Sequence, residues 1–390
     1  MAIPAHTFWR LTRWLGPWTR GNRSPPAVAR RRLLLAAQYE GDQPVDALVY
    51  TPADRPAIGS YLLVHGLNPL GPDDARCDRF ARILAHAGFV VLCPRLDALT
   101  EIRLDASAVD QLSRSLEALV TLEEHPAHIL PGVFSISFGS FPALMIAASP
   151  RTSHLVGSLV VFGGYANFVD TCRFMAGMTS PSNEEPKPDP TCMVGLAVNM
   201  ASVLFHGEDE RKLARAWLAY VSGVWGVPEM KQSHRFSELA RQLAADLPAH
   251  LQQTFLQGCG VVPGFASLVE EALARVDIDS MDPRRHLYAI RCPVHLFHGR
   301  RDDVIPYSQM AVLAAGLTSA NPKSYLTGLF DHSRAAMAFA QLPALFREIR
   351  TMAAMMHAMV LSGTRPQRIE CRASSSAPPE GVRPQHNVVP

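Results

Sequence analysis

Phe134-Ser135-Ile136-Ser137-Phe138-Gly139-Ser140 follows one apolar run, residues 129–134, and leads into another, residues 138–148. The first run has the length of a buried strand, weakened in its first half by Pro131, and the second reads as a helix. A chain that passes from strand to helix in so few residues must turn sharply. The residues two before and two after the centre of that turn have to be small, and the central residue is held strained with its side chain presented outward. Ser135 and Gly139 satisfy the size requirement around Ser137. The segment therefore approximates G-x-S-x-G, with serine in place of the first glycine. A serine ahead of a helix is also a common cap, and on this segment alone that plainer reading stands beside the chemical one.

On both sides of this turn the sequence alternates as βαβ units around a largely parallel sheet, an α/β architecture. Residues 32–39 and 47–50 read as two opening strands separated by Gly41-Asp42-Gln43-Pro44. Residues 60–65 form a short buried strand ending at Gly66, and 74–86 an amphipathic helix closed by Gly88. Further strands are expected at 89–93, 155–162, 293–298 and 323–326, with helices over 106–123 and from near Ser333. Between Gly163 and about Met281 the strand signal gives way to helical patches at 211–221, 236–245 and 265–274. This is an insertion between two strands, placed where it would roof a site at the carboxyl ends of the sheet. The expected division is an N-terminal arm (1–31), a first core part (32–162), a helical lid (163–281), a second core part (282–362) and a disordered tail rich in Pro, Ser, Arg and Gly (363–390).

A serine hydroxyl is a poor nucleophile until a base removes its proton, and the base must itself be held by an acid. Both candidates lie downstream in the order such sites use. Pro293-Val-His-Leu-Phe-His-Gly-Arg-Arg-Asp-Asp-Val-Ile-Pro306 puts Asp302 in the loop after a buried strand. Thr327-Gly328-Leu329-Phe330-Asp331-His332-Ser333 puts His332 in the next strand-to-helix loop. Asp302 could instead bind loop amides and His332 could cap a helix, but the ordered set on three loops at one sheet edge favours Ser137 as nucleophile, His332 as general base and Asp302 as acid. Asp303 is the fallback acid. His65 and His298, at the ends of buried strands, read as structural.

With these residues in view, the chain resembles the α/β-hydrolase superfamily over roughly 32–162 and 282–355. The resemblance rests on Val64-His65-Gly66-Leu67, the turn at Ser137, His298-Gly299-Arg300-Arg301-Asp302 with Val304-Ile305-Pro306, and His332. It implies a mostly parallel sheet flanked by helices, with a helical lid between strands six and seven. It also implies an oxyanion hole from the backbone N–H groups of Leu67 and Phe138. There is no H-G-G-G run of the kind found in some lipases and esterases.

Bulk properties narrow the function further. The 390 residues, 48% hydrophobic and 18% charged, suit a globular chain with a large core, and a net charge of +2 gives no case for nucleic acid as partner. Seven scattered cysteines without C-x-x-C pairs favour a reducing cytoplasm. No apolar run approaches the ~20 residues of a membrane span. The arm carries Trp9, Trp14 and Trp18 among arginines, a composition suited to weak contact with a membrane surface. The preferred reading is that its tryptophans pack on the domain. No metal-ligand spacing or phosphate loop is found, so no cofactor and no metal are implied. The expected activity is hydrolysis of a small-molecule carboxylic ester, or a thioester or amide, through an acyl-Ser137 intermediate. An acyltransferase using the same triad and a noncatalytic binding member of the fold remain as alternatives. Insertion residues such as Met175, Met200, Trp217, Trp225, Phe255 and Phe265 either line an acyl pocket or form the insertion's own core.

Overall fold

The computed structural model describes residues 5–15, 23–37, 43–179, 186–227, 229–230, 235–328, 330–331, 334–335 and 342–367, without the side chains of 330–331, 334–335 and 342–345. Eight strands form one sheet: β1 (Val28–Leu35), β2 (Val45–Pro52), β3 (Gly59–Val64), β4 (Phe89–Pro94), β5 (Gly132–Ile136), β6 (Ser158–Phe162), β7 (Val294–Gly299) and β8 (Lys323–Thr327). Their spatial order is β1-β2-β4-β3-β5-β6-β7-β8. The β1–β2 and β2–β4 pairs are antiparallel and all others parallel. This is the mostly parallel, helix-flanked sheet that the sequence resemblance implies.

Strands β3, β4 and β7 are buried at every position, as expected for parallel strands covered on both faces. Successive residues point to opposite faces, so Leu62 and Val64 join one core and Tyr61 and Leu63 the other. The first core lies under α3 (Ser107–Thr121), α4 (Ser140–Ala148) and the insertion. The second lies under α1 (Ala5–Leu15), α2 (Ala75–Ala87) and a long C-terminal helix over Leu342–Gly363. Asp74 caps α2 by accepting the Arg76 N–H at 2.9 Å, and Gly88 closes it.

Between β6 and β7 the described residues include the helices α5 (Phe168–Met175), α6 (Met193–Leu204), α7 (Gly207–Val224), α8 (Arg235–Ala245), α9 (Ala249–Gly258) and α10 (Phe265–Leu273). Trp217 is fully buried among them, donating to the Phe255 carbonyl at 3.1 Å and stacking on the Phe255 ring. Helix α11 (Ser308–Gly316) joins β7 to β8, and the C-terminal helix over 342–363 is α12.

Several boundaries differ from the sequence reading. Strand β1 starts at Val28 rather than Arg32, and the segment ahead of it contains α1, whose Leu11 and Trp14 are buried while Trp9 is 61% exposed. Arg10 fastens α1 by donating to the His86 carbonyl and to Asp54. One tryptophan of the arm thus packs on the domain and another faces outward; Trp18 lies outside the described residues. Pro131 splits its strand, and Ile129–Leu130 pairs instead with Arg365–Pro366, residues read as disordered tail. The helix expected from near Ser333 begins, among the described residues, at Leu342, after a short ribbon pairing Phe330–Asp331 with Arg334–Ala335. No described helix is long and apolar enough to cross a membrane.

Candidate active site

Ile136 leaves β5 in extended conformation, and Ser137 follows with φ of 54°. A non-glycine residue in the left-handed region is strained, and the strain survives because the flanking β5 and α4 are both buried and fixed. The smallness demanded around the turn has visible causes. A Cβ on Gly139 would lie 2.3 Å from the His65 carbonyl oxygen, so only glycine lets α4 start this close to the end of β3. Ser135 is wholly buried, and its hydroxyl donates to the Val160 carbonyl of β6 at 3.3 Å. The extra hydroxyl is therefore absorbed by the neighbouring strand.

The loop after β3 lies directly against Ser137. A Cβ on Gly66 would sit 3.1 Å from the Ser137 Cβ, which leaves the backbone leading to Leu67 beside the serine. His65 is locked there by its own bonds. Its Nδ1 is 2.8 Å from the Gly66 carbonyl, so it donates, and Nε2 accepts the Leu96 N–H at 3.2 Å. Burial pushes its pKa down to about 4, with Arg95 adding to the effect and the Gly66 bond opposing it. This neutral, doubly bonded imidazole shapes the loop.

Asp302 lies in the loop after β7 and is 3% exposed. Its Oδ1 accepts the N–H groups of Val304 at 3.0 Å and Ile305 at 2.9 Å. Its Oδ2 is 3.3 Å from His298 Nε2, which is also 2.9 Å from the Ile305 carbonyl. The amide-binding role weighed from sequence is thus real for one oxygen, and it fixes the carboxylate. The Asp303 backbone carbonyl accepts the Asp189 N–H of the insertion at 2.8 Å. His332 lies outside the described residues. The ribbon residues on either side of it, 330–331 and 334–335, follow β8, and Phe330–Asp331 lies against β7.

A cavity of about 300 Å³ opens over the serine, lined by Ser137, Leu67, Phe138, Met175, Trp225 and Val304, among others. Its floor is the carboxyl edge of the sheet and one wall is the insertion. Trp225 is fixed by donating from its indole nitrogen to the Thr191 carbonyl at 2.9 Å. Of the apolar insertion residues singled out from sequence, Met175 and Trp225 reach this cavity, whereas Met200, Trp217, Phe255 and Phe265 are buried in the insertion's core. A polar group at the cavity escaped the sequence reading. Asn68 donates to Asp74 Oδ2 at 2.7 Å, and Arg76 Nε to Oδ1 at 3.0 Å. Burial works against ionisation of Asp74, but Arg76 and Asn68 outweigh it and hold the carboxyl below its ordinary range. In the sequence Asp74 stands only as the first residue of the expected 74–86 helix.

No family model matches the chain, and no curated protein matches it. Among solved structures it is similar to the acylaminoacyl peptidase of Pyrococcus horikoshii, at 11% identity and a TM-score of 0.48, over 88% of this chain and 42% of that one. It is similar also to a 2,6-dihydroxy-pseudo-oxynicotine hydrolase, at 15% identity and a TM-score of 0.47, over 87% of this chain and 70% of that one. For the Pyrococcus furiosus esterase PF2001 the values are 13% and 0.44, over 84% and 90%. The chain spans less than half the length of the peptidase.

Proposed function

We propose that this chain is a serine hydrolase that cleaves a small carboxylic ester through an acyl-Ser137 intermediate. The observation that carries this reading is the strained φ of Ser137 at the end of a central parallel strand, on the floor of a largely apolar cavity. Strain of that kind is retained where a side chain must be presented to a ligand. In the proposed reaction His332 takes the proton from the Ser137 hydroxyl as Oγ attacks the carbonyl carbon. Asp302 holds the imidazole and stabilises its charged form, while the N–H groups of Leu67 and Phe138 receive the developing oxyanion. His332 then gives the proton to the departing alcohol, and a water activated by the same imidazole releases the acid.

The insertion is proposed to act as a lid that sets acyl size. A cavity of about 300 Å³ lies at the small end of the range for ligand sites, so short acyl chains are the expected substrates. The test is hydrolysis of p-nitrophenyl esters from acetate to decanoate. The parent protein should prefer acetate to butyrate, and Trp225→Ala should shift the preference toward longer chains by about tenfold in relative kcat/KM. Trp217→Ala, deep in the insertion's core, should instead destabilise the fold by about 3–5 kcal/mol, seen as a lower thermal midpoint, without a selective change in chain length. An unchanged profile in a folded Trp225→Ala protein would remove the lid from the account. Absence of ester turnover altogether would remove the ester.

A further inference from the structure

A second cavity, of about 640 Å³, opens at the far end of the sheet, where β6, β7 and β8 begin. Its walls come from Ser158, Val294, His295 and Lys323 on the strands, Leu361 and Ser362 at the end of α12, and Ile129 and Arg365 from the short ribbon that pairs residues 129–130 with 365–366. His295 and Lys323 are register partners on adjacent strands and so share a face. Two cations, Lys323 and Arg365, border the space, and no carboxylate is among its described lining residues.

His295 supplies the second observation. It is 7% exposed, and its Nδ1 has no hydrogen-bond partner among the described residues. Burial, with Lys323 and His357 adding to it, pushes its pKa down to about 4, so the ring is neutral near pH 7. A neutral imidazole can carry its proton on Nδ1 and donate from there. Leaving such a buried group unpaired is unfavourable, and a ligand acceptor would recover that cost. The rest of the wall is mostly apolar, and an inorganic anion would leave that surface uncovered.

We propose that this cavity binds an organic monocarboxylate with a short apolar body, its carboxylate held by Lys323, Arg365 and the Nδ1–H of His295, and its chain set against Ile129, Val294 and Leu361. The site lies at the opposite end of the sheet from Ser137, so the proposal is independent of the hydrolase reading. Octanoate is the probe, titrated calorimetrically into the full chain, with octanamide and inorganic phosphate in parallel. Octanoate should bind, and both comparison compounds should bind more weakly by about tenfold or more, because one lacks the charge and the other the apolar body. Lys323→Met combined with Arg365→Met should weaken octanoate by about tenfold or more, with the thermal midpoint of the parent retained. If the double variant is destabilised, Lys323→Met alone, at an exposed position, should still weaken binding about fivefold. Undetectable octanoate binding, octanamide or phosphate bound as tightly, or folded variants that bind octanoate like the parent would each overturn the proposal; the last would place octanoate elsewhere, the Ser137 cavity included.

Discussion

Ser137→Ala should leave a folded protein whose ester hydrolysis has fallen by about 10⁴ to 10⁶-fold, the range typical for loss of a triad nucleophile. The substitution removes one hydroxyl from a residue that is 6% exposed, and alanine meets the same left-handed φ with the same strain. No cavity of consequence is created, so the thermal midpoint should stay near that of the parent. Turnover of p-nitrophenyl acetate and a melting curve measured on the same preparation separate the two effects. A variant that hydrolyses the ester at the parent rate would remove Ser137 from the mechanism.

Asp302→Asn should lower kcat by about 10⁴-fold, because an amide neither sets the histidine tautomer nor supports the imidazolium. Asparagine keeps an oxygen able to accept the Val304 and Ile305 N–H groups, so the loop that Asp302 organises should survive. Asp303→Asn should cost less than about tenfold, since the role seen for Asp303 is a backbone contact to Asp189 of the insertion. The opposite ranking of kcat in two folded variants would move the acid to Asp303.

The sheet was legible because its central strands are short apolar runs ended by Gly66, Pro94 or the turn at Ser137, and β3, β4 and β7 are indeed buried at every position. The elbow was legible because its size rule is steric, and the Gly139 backbone shows the rule at work against His65. What the sequence could not reveal depends on contacts between distant segments. Ser135 is tolerated because β6 offers it a carbonyl. Trp217 and Trp225 look alike in sequence, yet one fills the insertion's core and the other walls the cavity. Helix α1 carries a readable period in Leu11 and Trp14, in line with an arm that packs on the domain, but its two arginines and the surrounding polar residues left the helix itself unmarked in the sequence. Likewise, the tail residues Arg365 and Pro366 hold a place in the fold only through the partner strand that Pro131 sets free.

The measurement that tests the central claim most directly is reaction of the intact protein with a fluorophosphonate, followed by mass spectrometry of its peptides. A hydroxyl activated by a neighbouring base attacks phosphorus and retains the organophosphorus group. The expected result is one adduct per chain, on the peptide containing Ser137, with ester hydrolysis lost in proportion to labelling and no adduct in Ser137→Ala. Full hydrolysis by protein that takes up no label at Ser137, or inactivation that tracks an adduct on another residue, would contradict it.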